Sequence, residues 1–186
     1  MAPSTKDRQE LPEWTPLPIT VVDYDPAWPA VFEGIRQRIA SALGSLALRI
    51  EHMGSTSVPG LAAKPIIDID TVIRVAGDLP ATIERLEAIG YNHRGEIQGG
   101  PPGCEAFDRP PDAPVHHLFV CPLGTDQFEK HLAFRDYLRT HPEARAEYMA
   151  LKRDLAARFS HDRLGYTESK SEFILGILAR CGSWKS

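Results

Sequence analysis

Apolar residues in the first two thirds of the chain occur mainly in short runs, whereas in the last third they recur at helical spacing. The short runs are rich in valine and isoleucine and are bounded by glycine or proline, a pattern that predicts strands. The predicted strands cover residues 19–22, 46–51, 65–74, 105–109 and 115–121. The rest of residues 91–114 is rich in glycine and proline and predicts a loop.

Helices are predicted where apolar residues recur every three or four positions. In residues 27–43 these are Val31, Ile35, Ile39 and Leu43, which form one face of an amphipathic helix. The other predicted helices cover residues 78–90, 125–140, 142–159 and 163–181, with breaks at Pro142 and near Gly165. Strands followed by helices indicate an α+β fold in which helices pack against a small mixed sheet. We expect a flexible, proline-rich segment at residues 1–18 and a single domain over 19–186.

Composition and charge narrow the class of protein. Hydrophobic residues make up 42% of the 186 residues and charged residues 25%, as in ordinary globular proteins. No apolar run approaches the roughly 18 residues of a spanning helix, so we expect a cytoplasmic protein without a membrane partner. A net charge of -4 argues against general nucleic-acid binding. The three cysteines match no metal or redox spacing and are expected to be reduced.

Two aspartates interrupt the isoleucine-rich strand predicted at residues 65–74. Because side chains alternate along a strand, Asp68 and Asp70 share one face while Ile67 and Ile69 line the other. Residues two apart lie about 7 Å from each other, so both carboxylates can converge on one ion. Without a cation, two like charges in a poorly solvated site cost stability. Hard oxygen ligands favour Mg²⁺ or Mn²⁺, and Mg²⁺ commonly combines carboxylates with phosphate oxygens, so the pair predicts a metal-bound nucleotide.

A glycine turn precedes this strand and supplies groups that suit phosphate. Gly54 allows close backbone approach to a ligand, and Ser55 and Thr56 add hydroxyl and N–H donors that can cradle an anion. Lys64, at the start of the aspartate strand, is a candidate counter-charge. The turn and the strand together therefore predict a nucleotide site.

These residues carry a family resemblance. Gly54-Ser55, twelve residues and then Asp68-Ile-Asp70 resemble the signature of the nucleotidyltransferase superfamily. More narrowly, the chain resembles the GrpB family from about residue 19 onward. The matching segments are DPAW at 25–28, IEHMGSTSVPGLAAKPIIDID at 50–70, GY at 90–91, HHL at 116–118, FRDYLR at 134–139, Tyr148 to Lys152 and Tyr166 to Phe173.

The resemblance implies a nucleotidyltransferase-like α/β fold with a strongly twisted mixed sheet flanked by helices. It also implies a reaction in which a metal held by Asp68 and Asp70 assists nucleotidyl transfer from a nucleoside triphosphate, taken as ATP, to an unidentified small-molecule or protein hydroxyl. A third carboxylate from a later strand completes such sites, and the candidates are Glu105 and Asp108. His117 begins the family's His-Leu-His pattern, in which this chain has Phe119 as the last residue.

The resemblance extends to the C-terminal helices, where Lys152, Tyr166 and Lys170 would pack over the nucleotide. The same side chains could instead lock the helices to the sheet. Two other functions remain open: a nucleotide-binding module without catalysis, and an accessory protein of the coenzyme A pathway, since family members are sometimes fused to a dephospho-coenzyme A kinase. Arg135 and Arg139 are predicted to lie on a solvated, salt-bridged helix face.

Overall fold

The computed structural model describes residues 19–96 and 103–182. Within these residues the chain forms five strands and six α-helices. The strands are β1 (Ala47–Met53), β2 (Ile67–Ile73), β3 (Asn92–Glu96), β4 (Glu105–Asp108) and β5 (His116–Pro122). The helices are α1 (Trp28–Leu43), α2 (Leu79–Glu87), α3 (Asp126–Thr140), α4 (Pro142–Arg158), α5 (Arg163–Glu168) and α6 (Ser171–Arg180).

The strands form a single mixed sheet in the order β1-β2-β5-β4-β3. Only the central pair, β2 and β5, is parallel, and the other neighbours are antiparallel. The register sets Asp68 beside His117 and Asp70 beside Phe119. Because paired residues on neighbouring strands point to the same face, the centre of the sheet brings these four side chains together.

Helices cover both faces of the sheet. On one face, α1 buries Trp28, Ile35 and Ile39 against isoleucines of β2 and against Leu118 and Val120 of β5. On the other face, which carries the two aspartates, Phe128 of α3 packs on Met53 and Val72. Helices α4 and α6 extend this second layer through a cluster of Val58, Leu61, Leu138, Ala144, Tyr148 and Ile177. The site thus lies between the sheet and the helical C-terminal third.

The predicted α+β class, with a mixed sheet flanked by helices and a helical final third, is confirmed. The strand predicted at residues 19–22 is wrong, since only Val22 forms an isolated bridge, to Ala63. Strand β3 was not predicted because its sequence, NHRGE, is polar and sits at the sheet edge. The last predicted helix is two helices, and Gly165 lies inside α5 rather than at a break. Residues 1–18 and 97–102 lie outside the described residues.

Two cysteines contradict the expectation of reduced thiols. Cys104, the residue before β4, forms a disulfide with Cys121 of β5. The antiparallel pairing of Glu105 with Val120 places these cysteines opposite each other, a proximity that sequence spacing alone does not reveal. None of the helices in the described part of the chain is long and apolar enough to cross a bilayer.

Candidate functional site

The turn after β1 brings its backbone against the first aspartate. Gly54 has a φ of 67°, and a Cβ atom at this position would lie 2.1 Å from Oδ2 of Asp68. Only glycine combines this φ with such a close approach. Ser57 closes the turn by donating from both its N–H and its hydroxyl to the carbonyl of Gly54. The turn and the carboxylate therefore form one packed unit.

Thr56 lies in this turn but its hydroxyl is already engaged. It is buried, donates to the carbonyl of Ile66 at 3.2 Å and contacts Nε2 of His52 at 2.9 Å. Burial lowers the pKa of His52 to about 4, so the imidazole is neutral and its Nε2–H donates to Thr56. The structure thus gives the side chains of Thr56 and His52 a structural role and leaves Ser55 as the hydroxyl that lines the cleft.

Each aspartate of the pair is hydrogen-bonded to a histidine. Nδ1 of His117 lies 2.8 Å from Oδ1 of Asp68, and Nδ1 of His131 lies 2.7 Å from Oδ2 of Asp70. Asp70 is 1% exposed, and its second oxygen, Oδ1, has no hydrogen-bond partner among the described residues. A buried carboxylate oxygen without a donor is costly unless a ligand satisfies it.

Helix α3 holds two neighbouring acidic residues through side chains one turn apart. His131 bonds to Asp70, and Arg135 donates to Glu51 at 2.9 Å. Glu51 of β1 is the direct cross-strand partner of Asp70. Arg135 also donates to the carbonyl of His52 and is buried, so its prediction as part of a solvated face is wrong. Arg139, which is exposed, donates to the carbonyl of Ser57.

His131 carries no strong signal in the sequence. Its partner lies 61 residues away, and a histidine on a mainly polar helix is common. The available signal was the i, i+4 spacing of His131 and Arg135, which places both on one helix face. Only the packing of α3 on the sheet shows that this face meets the acidic residues.

The structure does not bring the predicted third carboxylates to the aspartates. Glu105 pairs with Val120, which belongs to the α1 side of the sheet, and it is bonded to His93 at 2.8 Å. Glu105 therefore faces away from Asp68. Asp108 lies 3.4 Å from Nε of Arg94 and does not line the cleft. The position beside Asp70 on β5 is Phe119, which has no ligating group.

The donor set suits a hard cation that keeps phosphate and water ligands. Asp68 and Asp70 share a face, and the unpartnered Oδ1 of Asp70 is a ready acceptor. Among the described residues, no group of three or more His, Cys, Asp or Glu side chains is placed to hold a metal ion. The residues thus fit Mg²⁺ or Mn²⁺ bound by one or two carboxylates, and they do not fit an all-protein cage.

Three lysines gather around two tyrosines on the C-terminal side of the turn. We call Lys64, Lys152 and Lys170 the lysine cluster. Nζ of Lys170 lies 4.2 Å from the centre of the Tyr166 ring and Nζ of Lys64 lies 5.4 Å from it. Nζ of Lys152 lies 4.8 Å from the centre of the Tyr148 ring and donates to the carbonyl of Ala62. Within residues 19–96 and 103–182, no carboxylate forms an ion pair with these lysines.

Burial and nearby positive charges lower the pKa of all three lysines. Burial, followed by the neighbouring lysines, lowers the pKa of Lys152 to about 7 and that of Lys170 to about 8. Burial also lowers the pKa of Lys64, followed by repulsion from Arg163. Asp68 acts in the opposite direction on Lys64 and Lys170, so these two lysines lie within electrostatic reach of that carboxylate. An anion between the lysines would relieve their repulsion.

A cleft of about 310 Å³ lies at the aspartates, beneath α3. Its floor carries Asp68, Asp70 and His117, and its walls are mainly apolar. The lining residues are Met53, Gly54, Ser55, Val58, Asp68, Asp70, His117, Phe119, Gln127, His131, Phe134, Arg135 and Leu138. Asp68, whose side chain is 35% exposed, is the carboxylate that a ligand in the cleft can reach.

Comparison with known proteins shows the relationship of the chain. A family model described as GrpB protein matches residues 18–180. The UPF0157 protein BH1888 of Halalkalibacterium halodurans is 38% identical, over 89% of this chain and 83% of that protein. A solved structure of the conserved protein GrpB from Enterococcus faecalis is similar with a TM-score of 0.77 at 34% identity, over 87% of this chain and 96% of that one. The resemblance seen in the sequence is confirmed.

Another relative is a larger protein. The dephospho-CoA kinase of Mycolicibacterium paratuberculosis is 30% identical over 90% of this chain, but the match spans only 47% of that protein. The chain therefore corresponds to about half of that relative.

Proposed function

The chain belongs to the GrpB family, and we propose that it binds a nucleoside triphosphate with Mg²⁺ or Mn²⁺ and transfers the nucleotidyl group to a hydroxyl acceptor. The observation that carries the proposal is the position of Asp68. This carboxylate borders the cleft with Asp70 and acts electrostatically on Lys64 and Lys170. A metal–phosphate complex needs carboxylates that bind the metal and positively charged side chains that bind the phosphates. Asp68 lies near Asp70 and near two of the lysines.

The lysine cluster supports the assignment of the triphosphate. Three partly or fully buried ammonium groups without an acidic partner in the described residues are unfavourable on their own. A polyanion would compensate them, and lysines act as point charges toward phosphate. The turn is linked to this cluster through Tyr148, whose ring lies beneath Nζ of Lys152. A hydrogen bond with Ser55 of the turn acts to lower the pKa of Tyr148, although burial has the larger, opposite effect. The β and γ phosphates would thus lie between the turn and the lysines.

The aspartates and their histidines support the assignment of the cation. A divalent cation bound there would polarise the α-phosphate and neutralise charge on the leaving pyrophosphate. His117 orients Asp68 and His131 orients Asp70, each through Nδ1. Such hydrogen bonds from outside the ligand set fix carboxylates for metal binding. Oδ1 of Asp70, which has no donor in the described residues, would receive the metal.

A second candidate is nucleotide binding without turnover. It is favoured by one observation: among the described residues, the cleft contains no carboxylate besides Asp68 and Asp70. Phe119 occupies the β5 position beside Asp70, and Glu105 faces the opposite side of the sheet. Without a third carboxylate, the acceptor hydroxyl lacks the group that usually helps to activate it.

A turnover assay distinguishes the two candidates. The protein is incubated with α-labelled ATP or UTP, Mg²⁺ or Mn²⁺, and acceptors that include coenzyme A precursors, because a relative is named as a dephospho-CoA kinase. Metal-dependent label transfer that is lost in Asp70→Asn but kept in Glu105→Gln supports catalysis. Transfer that is independent of metal or unchanged in Asp70→Asn contradicts it. Metal-dependent nucleotide binding without transfer to any acceptor favours the second candidate.

A further inference from the structure

The cleft beneath α3 has a chemical character different from that of the lysine cluster. Its walls are formed by Met53 from β1, Val58 from the turn, Phe119 from β5, and Phe134 and Leu138 from α3. None of the three lysines lines it. Its volume of about 310 Å³ lies at the lower end of the range for small-molecule sites. The cleft therefore suits a small molecule with an apolar body.

The charged groups of the cleft are already paired within the protein. Asp68 is bonded to His117, Asp70 to His131 and Arg135 to Glu51. Among the described residues, the cleft thus offers no cation that lacks a partner. An anionic group placed there would lie close to two carboxylates without a counter-charge, which is unfavourable in a partly buried site.

We propose that this cleft is the acceptor subsite and that it binds a small uncharged molecule with an apolar body and a hydroxyl group, rather than the end of a nucleic acid. The inference rests on the proposed function, since it needs the nucleotide at Asp68 and Asp70. The hydroxyl oxygen of the acceptor forms a bond to the α-phosphorus. The bond from that phosphorus to the bridging oxygen breaks, pyrophosphate leaves, and the hydroxyl proton passes to water.

The test uses two probes that differ in one group: p-cresol and p-cresyl phosphate. Methyl NMR signals of Met53, Val58 and Leu138 report on binding in the cleft, in metal-free buffer. We expect p-cresol to shift these signals saturably and p-cresyl phosphate to bind at least tenfold more weakly. Equal or tighter binding of the phosphate at these methyl groups, or no response to p-cresol, would overturn the proposal.

A pair of tryptophan variants on α3 locates the binding. Gln127 is half-buried and lines the cleft, whereas Glu129 is exposed on the same helix. Gln127→Trp places a bulky ring at the wall of the cleft, and it should weaken p-cresol binding at least tenfold. Glu129→Trp adds the same side chain outside the cleft and should leave binding unchanged. Equal effects of the two variants would count against the cleft as the binding site.

Adding MgATP separates failure of this proposal from failure of the proposed function. We expect MgATP to bind with p-cresol still in place, since the two occupy different subsites. Displacement of p-cresol by MgATP would assign the cleft to the nucleotide and overturn the acceptor proposal alone. Absence of MgATP binding, with p-cresol binding intact, would overturn the proposed function and with it the acceptor role.

Discussion

At the two aspartates, burial and hydrogen bonding act in opposite directions. Burial alone would raise the pKa of Asp68, but the hydrogen bond and charge of His117 outweigh it and the pKa is lowered. Burial would likewise lower the pKa of His131, and the hydrogen bond and charge of Asp70 raise it. His117 therefore favours the ionised form of Asp68, and Asp70 favours the protonated form of His131.

The pairing of His131 with Asp70 predicts a measurable titration. The pKa of His131 should lie above its ordinary value of 6.5 in the wild type and fall in Asp70→Asn, because the neutral amide no longer stabilises the imidazolium. The stability that this pair contributes is present below about pH 6.5 and is lost as the pH rises through the raised pKa. NMR titration of the imidazole signals measures the change, with the exposed His161 as an internal control. An identical pKa of His131 in both proteins would contradict the pairing.

The buried ammonium of Lys152 predicts a second pH effect, on stability. Its pKa is about 7 in the folded protein against 10.5 as the ordinary value. Between these values the unfolded chain binds more protons, so the free energy of unfolding rises with pH. Lys152→Met removes this titration, and urea unfolding from pH 6.5 to 9 should show a smaller rise than in the wild type. The exposed Arg153→Met is the control, and equal slopes in wild type and Lys152→Met would contradict the burial of a titrating amine.

At the scale of elements, the strand–turn–strand unit of β1 and β2 depends on a glycine for two separate reasons. Gly54 and Gly60 both have positive φ, at 67° and 78°. A Cβ atom added at Gly54 would clash with the side chain of Asp68, whereas a Cβ atom added at Gly60 would have no atom within 4 Å. The two positions therefore separate backbone strain from the contact with Asp68.

Alanine at each glycine tests this separation. Gly60→Ala should cost about 1 to 2 kcal/mol from the positive φ alone. Gly54→Ala should cost clearly more, because Asp68 must also move, and it should weaken MgATP binding while Gly60→Ala should not. Urea unfolding and calorimetry provide the two measurements. Equal costs for both variants would show that Asp68 does not pack against the turn.

Helix α3 is fixed to the sheet by the ion pair of the buried Arg135 with the half-buried Glu51. Arg135→Ala should lower the free energy of unfolding by about 3 kcal/mol, because it leaves a partly buried carboxylate and a backbone carbonyl without their donor. Arg158→Ala, which removes an exposed pair with Asp154 on α4, should cost no more than about 0.5 kcal/mol. Urea unfolding compares the two variants. A similar small loss for both would contradict the anchoring role of Arg135.

Local sequence pattern predicted the elements with a strong apolar signal and did not predict an element that is held only by tertiary contacts. The isoleucine run of β2 and the apolar face of α1 are visible in the sequence, and both elements lie within a few residues of their predicted bounds. Strand β3 has no such pattern and is held in place by pairing with β4. A strand of this kind is not distinguishable from a loop by composition.

At the scale of the whole molecule, the sequence predicts site residues that lie near one another along the chain. Gly54, Ser55, Asp68 and Asp70 belong to one turn and one strand, and His117 follows from the resemblance. The face of the sheet on which Glu105 lies depends on the strand register, because a shift of one residue moves its side chain to the opposite face. The approach of His131 to Asp70 depends on how α3 crosses the sheet. Neither property is encoded in local periodicity.

For the lysine cluster, the residues were predicted but their proximity to one another was not. Lys64, Lys152 and Lys170 were each candidates, but their shared surroundings arise only when α4 and the helices after it pack beside the turn. The proposed function places a cation at the two aspartates and phosphates at the lysine cluster. Both assignments require the protein to bind a metal–nucleotide complex.

Isothermal titration calorimetry of ATP, with and without Mg²⁺, measures the formation of this metal–nucleotide complex. In the wild type we expect Mg²⁺ to tighten ATP binding at least tenfold. Asp70→Asn should lose this gain, Lys170→Ala should weaken binding in both conditions, and Arg158→Ala should match the wild type. Equal affinity with and without Mg²⁺ in both the wild type and Asp70→Asn, or no binding of ATP at all, would contradict the metal–nucleotide site.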